Sequence, residues 1–212
     1  MGTRLLTLAL TLAVFVLTLP AWASNTVPYL DANGASQTAP SATDLTGDET
    51  TLTSGWYLAS GSLTYASTLT VSGDVHLILA DGSNLTVNGS STKSTFTNGD
   101  AGIHVSADNS LTIYAQSTGS GMGRLVATGG GYGAGIGGGG DNGDGGTITI
   151  NGGMVTASGN PAGLGGAGIG GDTSDYHGGA GGTLTILTAV GSQPPAAAAK
   201  AVRASAAVAE PT

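Results

Sequence analysis

A chain of 212 residues with a formal charge of −8 and only five Lys and Arg repels nucleic acid and anionic lipid. It has no cysteine, so packing and backbone hydrogen bonds must hold it without disulfides. With 39 glycines and 8% charged residues it is either disordered or built with very frequent tight corners. Short apolar runs recur in order between the glycines, and that excludes disorder.

The first residues read as an export signal. Met1 to Arg4 is a short positive start, Leu5 to Leu19 an apolar core, and Ala21-Trp22-Ala23 a small-x-small site with cleavage before Ser24. The apolar core, about 15 residues, falls short of the ~20 needed by a membrane-spanning helix. Residues 1–23 are therefore expected to be a signal peptide, leaving a mature chain of charge about −9 that does not insert in the membrane.

Residues 24–50 form a polar lead-in and N-terminal cap, rich in turn chemistry such as Asn33-Gly34 and Thr46-Gly47-Asp48. Residues 51–190 carry the regular pattern. Gly55-Trp56-Tyr57-Leu58, Leu69-Thr70-Val71, His76-Leu77-Ile78-Leu79 and Leu85-Thr86-Val87 come first. Ile103-His104-Val105, Leu111-Thr112-Ile113-Tyr114, Leu125-Val126-Ala127, Thr147-Ile148-Thr149-Ile150, Met154-Val155-Thr156-Ala157 and Thr183-Leu184-Thr185-Ile186-Leu187 follow. Each run alternates with period two between Gly, Asn, Asp or Ser, which is the signature of short strands.

Two segments repeat. Gly133-Ala134-Gly135-Ile136-Gly137-Gly138 returns 33 residues later as Gly166-Ala167-Gly168-Ile169-Gly170-Gly171. Gly145-Gly146-Thr147-Ile148-Thr149-Ile150 returns 36 residues later as Gly181-Gly182-Thr183-Leu184-Thr185-Ile186. Repeats of this size point to stacked units. Three short strands with glycine corners make one coil of a right-handed parallel β-helix, and an all-β solenoid of this kind is the predicted fold. Ile148 and Ile150 should point inward, and Thr147 and Thr149 outward. A β-sandwich of hairpins is the competing fold, but a repeated coil explains the long period better. Residues 191–212, with Pro194-Pro195 and Ala196 to Ala199, lack an apolar face and are expected to be a flexible tail. No Leu-Pro-x-Thr-Gly sorting motif is present, so covalent wall attachment is not indicated.

The stretch from Val71 to Gly82, Asn109-Ser110-Leu111-Thr112-Ile113-Tyr114, both Gly-Ala-Gly-Ile-Gly-Gly copies and Ile148 to Gly153 carry a family resemblance. Over roughly residues 28–187 they resemble glycine-rich surface proteins of gut bacteria labelled "carbohydrate-binding domain-containing". That resemblance implies a pectate-lyase-like β-helix, a secreted or cell-surface location, and binding to a glycan surface.

Catalysis is not expected. A glycosidase needs two carboxylates facing one sugar bond, whereas Asp74, Asp81, Asp100 and Asp108 sit in turns that explain them. A lyase needs a base, often Arg or Lys, beside a bound acidic sugar. Only Lys93 and Arg124 lie in the repeat region, and neither has an acidic cluster beside it. A polysaccharide lyase or hydrolase, or a purely structural repeat, remains the alternative. His76, His104 and His177 lack the paired spacing of a zinc site.

Two sets of residues are candidates for binding. Asp141 and Asp144 in Gly-Gly-Asp-Asn-Gly-Asp, with Asp172 and Asp175 in Gly-Gly-Asp-Thr-Ser-Asp, would suit calcium if adjacent coils bring them together. Trp56 and Tyr57 near the start, with Tyr132 and Tyr176 in the repeat loops, are candidate carbohydrate-stacking rings. Capping of the first coil is the competing role for Trp56 and Tyr57. The expected protein is a monomer.

Overall fold

The computed structural model describes residues 26–90, 100–139, 143–160, 166–172, 181–186 and 203–204. The expected signal peptide, residues 1–23, lies outside the described residues. So does the expected tail, apart from residues 203 and 204.

The chain is all-β, and its strands stack in parallel, pass upon pass. Two antiparallel strands come first, β1 (Val27–Leu30) and β2 (Ser36–Ala39), joined through a turn at Asp31. Then come β3 (Ala42–Asp44), β4 (Thr51–Ala59), β5 (Ser62–Tyr65), β6 (Leu69–Leu79) and β7 (Asn84–Asn88). The next pass holds β8 (Ile103–His104), β9 (Ser110–Ala115) and β10 (Arg124–Thr128). After it follow β11 (Ile136–Gly137), β12 (Thr147–Ile150) and β13 (Met154–Ser158), then β14 (Ile169–Gly170), β15 (Thr183–Ile186) and β16 (Arg203–Ala204).

These strands form three parallel ladders. The first runs through the start of β6, then β8, β11 and β14, aligning Leu69, Ile103, Ile136 and Ile169. The second runs from β3 through β4, the later part of β6, β9, β12 and β15. The third joins β5, β7, β10, β13 and β16. Parallel strands cannot be joined by tight hairpins, so from β4 onward each ladder recruits its next strand only after the chain has visited the other two. Such an arrangement is compatible with a parallel β-helix.

Alternation explains the core. Val75, Leu111 and Ile148 are register partners and all buried; so are Leu77, Ile113 and Ile150. Leu85, Leu125 and Val155 do the same on the third ladder. Both sequence repeats land on their own copies, with Ile136 beside Ile169 and Thr147 beside Thr183. The predicted inward Ile148 and Ile150 are 1% and 0% exposed. Their partners Leu184 and Ile186 in β15, the last strand of this ladder, are 39% and 41% exposed, because no further described strand follows them.

Two features concern the ends. The lead-in carries β1, β2 and β3 between its turns, and β3 already belongs to the second ladder, so the parallel stacking starts at Ala42. Within the expected flexible tail, Arg203 and Ala204 pair in parallel with Thr156 and Ala157. Among the described residues no helix is long and apolar enough to cross a membrane.

The first pass is closed by side chains. Leu45 is buried, and the Thr46–Glu49 turn folds beneath it with the Glu49 carboxylate accepting from the Thr46 and Gly47 amides. The phenol of buried Tyr65 donates to Glu49 Oε2. Tyr57 packs against the main core, and its hydroxyl donates to the Thr53 carbonyl at 3.0 Å and accepts from the Thr53 amide at 3.1 Å.

Candidate functional site

A second apolar cluster lies outside the stack. Val27, Ala39, Ala42, Ile78 and Tyr114 are buried together, with Tyr29, Trp56 and Leu58 packed against them. It forms because the outward face of the second ladder is apolar at its beginning and the β1–β2 pair lies over it. Gln116 Nε2 pins that pair by donating to the Pro28 carbonyl at 3.2 Å.

Register places the rings. Trp56 on β4 sits beside His76 on β6, and Leu58, Ile78 and Tyr114 line up in the next outward row. Neighbouring strands are about 4.8 Å apart, so rings that are register partners in one row, as Trp56 and His76 are, must touch. Trp56 and His76 stack at 4.3 Å between centroids with 15° between planes. Tyr29 tilts against Trp56 at 4.8 Å and meets Tyr114 edge-on at 4.7 Å. Trp56 remains half-buried.

The polar edge of this cluster is a linked chain. His76 Nε2 is 3.3 Å from Asp74 Oδ2, and its Nδ1 is 3.2 Å from the Tyr114 hydroxyl. Ser110 Oγ donates to Asp74 Oδ1. In the tautomer whose Nε2–H faces the carboxylate, Nδ1 accepts from the Tyr114 phenol. Burial, with the nearby Tyr29, pushes the Tyr114 phenol up to about 12, so it remains a donor across the physiological range. Tyr114→Phe should cost about 1 kcal/mol of stability, read as a lowered urea midpoint with an unchanged denaturant slope.

Asp74 owes its position to a bend within β6. Gly73 has φ +87°, and a Cβ there would lie 2.1 Å from Ser54 Oγ. The Gly73 amide donates to Asn109 Oδ1 at 2.7 Å and the Asp74 amide to Ser54 Oγ at 3.0 Å. Asn109 is itself held by donating to Ser106 Oγ at 2.8 Å. Beyond the rings, the same outward face continues in hydroxyls: Ser110, Thr147 and Thr183 follow Asp74 in register, and Thr112, Thr149 and Thr185 follow His76.

No family model, curated protein or solved structure matches the chain. The arrangement of side chains therefore carries the functional reading alone.

The structure separates the predicted aromatic residues. Trp56 faces outward and does not cap the first pass. Tyr57, its neighbour, turns inward and makes the closing contacts, so it offers no stacking face beside Trp56. Tyr132 lies in the loop between β10 and β11, outside the ring contacts of the cluster, and Tyr176 lies outside the described residues. Sequence reasoning missed Tyr29, Asp74, His76 and Tyr114 as a group. The available signal was the alignment of Gly55-Trp56-Tyr57 on Val75-His76-Leu77, which puts Trp56 over His76.

The predicted calcium ligands divide as well. Asp172 is 2% exposed and Asp144 is exposed, while Asp141 and Asp175 lie outside the described residues. Among the described residues no three His, Asp or Glu side chains come together as a metal site. The His104 imidazole on the first ladder is held below the usual range by burial, against the opposing charges of Asp100 and Asp172.

Proposed function

We propose that this chain is a right-handed parallel β-helix, exported and exposed at the cell surface or secreted, that binds polysaccharide without catalysing its breakdown. The single observation behind this reading is the outward, half-buried pair of stacked rings Trp56 and His76, backed by Tyr114 and edged by the Asp74 carboxylate and the Ser110 hydroxyl. A sugar ring has an apolar face and a rim of hydroxyls, so it asks for aromatic carbon beside fixed polar groups. Here both occur within one patch, on strands rather than loops, which lowers the ordering cost of binding.

The experiment is retention of the protein, lacking residues 1–23, on a panel of insoluble polysaccharides, with soluble sugar assayed alongside. Wild type should be retained on at least one of them without releasing sugar. Trp56→Ala should weaken that retention tenfold or more while the circular-dichroism spectrum stays β-rich. Release of soluble sugar, or retention indifferent to Trp56, would overturn the reading.

A further inference from the structure

Resting on the carbohydrate reading, we infer that Asp74 makes this face a site for uncharged glycans and turns acidic ones away. An ionised carboxylate offers about four acceptor positions on its two oxygens. One on Oδ1 is taken by Ser110, and one on Oδ2 lies toward His76 Nε2. The Asp74 side chain is 63% exposed, so the remaining acceptor positions face solvent at the edge of the ring cluster.

Those positions suit a particular donor set. Two neighbouring hydroxyls of a sugar can donate to a carboxylate at once, while the ring above them lies against the aromatic surface. Ser110 and His76 hold the carboxylate in one orientation, which spares the ligand the cost of fixing it. The same carboxylate repels a uronate or sulfate brought to the same place. Among the described residues nothing nearby reverses that sign. Among the described residues the outward positions of the second ladder carry no Lys or Arg, and Arg124 belongs to the third ladder. His76 Nε2 already faces Asp74 Oδ2 at 3.3 Å. The chain as a whole holds thirteen acidic against five basic residues.

The test uses the same protein in affinity electrophoresis or titration calorimetry, with dextran and mannan as uncharged probes and polygalacturonate as the acidic one. Wild type should bind at least one uncharged probe, and polygalacturonate at least tenfold more weakly. Raising the salt should narrow that gap, because screening removes the repulsion. Asp74→Asn keeps the shape and removes the charge; it should lose about tenfold on the uncharged glycan and gain on polygalacturonate. If Asp74→Asn melts early, Ser110→Ala serves instead, with a loss of affinity for the uncharged probe only. Polygalacturonate bound as tightly as the uncharged probes would overturn this inference and leave the carbohydrate reading standing. Unchanged discrimination in Asp74→Asn would overturn the role of Asp74. Failure of wild type to bind any glycan would overturn the carbohydrate reading itself.

Discussion

Gly137→Ala should lower the melting temperature by about 6–12 °C, or prevent folding altogether. Gly137 has φ +134°, a conformation that side chains rarely adopt, and an added Cβ would lie 2.0 Å from the Gly170 carbonyl oxygen of the next pass. Strained backbone of this kind costs about 1–3 kcal/mol, and forcing an extra carbon into a packed interior adds a similar amount. A total of about 3 kcal/mol corresponds to that shift for a domain of this size. The obstructing atom is backbone, held in the first ladder, so it has little freedom to yield. Gly61→Ala provides the comparison: it also has positive φ, +66°, but its Cβ would meet nothing within 4 Å. It should cost about 1 kcal/mol, from the backbone conformation alone. Scanning calorimetry on the two variants separates collision from conformation. Equal melting temperatures would mean the passes are not stacked as closely as described.

The second large effect lies at the first pass and depends on pH. Burial acts to raise the Glu49 carboxyl, but hydrogen bonds from the Tyr65 phenol, the Thr46 amide and the Thr46 hydroxyl outweigh it and take the group down to about 2. A carboxylate with a depressed folded value contributes stability that is complete above its unfolded value, near 4.5. That contribution is lost as pH falls from there through about 2. Glu49 is partly exposed, so water screens the interaction and we expect about 1–2 kcal/mol from it. Wild type should therefore lose stability between pH 4.5 and 2, whereas Glu49→Gln should be less stable at pH 7 and flatter across that window. Burial and the Glu49 charge raise the Tyr65 phenol. Its contribution is complete below the ordinary tyrosine value and is lost as pH rises beyond it. Tyr65→Phe should leave the acid limb shallower and weaken the alkaline one, to which Tyr114 also contributes. Urea midpoints measured from pH 2 to 11 test both limbs, and a Glu49→Gln profile parallel to wild type would refute the link.

Much of the architecture could be read from alternation. Leu111-Thr112-Ile113 and Ile148-Thr149-Ile150 each bury their first and third residues, as period two requires, and the two glycine repeats stack on their own copies. The site was far less legible. Trp56 and Tyr57 are adjacent, so one must face out and the other in. Alternation from Leu52 would assign them wrongly if carried straight through, because the β4 register shifts between Thr53 and Gly55. Leu52 and Gly55 both align with inward positions although they stand an odd number of positions apart. The β1–β2 pair was hidden for a different reason: Ser36, Gln37 and Thr38 are polar and exposed, and only Val27 and Ala39 are buried.

What the sequence determined by itself is therefore local: where strands occur, where glycine corners break them, and which pairs of segments repeat. Those features depend on backbone sterics and period-two burial, which act over a few residues. The tertiary structure decided which ring meets which. Trp56, His76, Tyr114 and Tyr29 come from four strands spread over 86 residues of chain, and Asp74 reaches their edge only because Gly73 bends β6 there. Contacts across passes are set by ladder register, and a single bulge changes the face a side chain occupies.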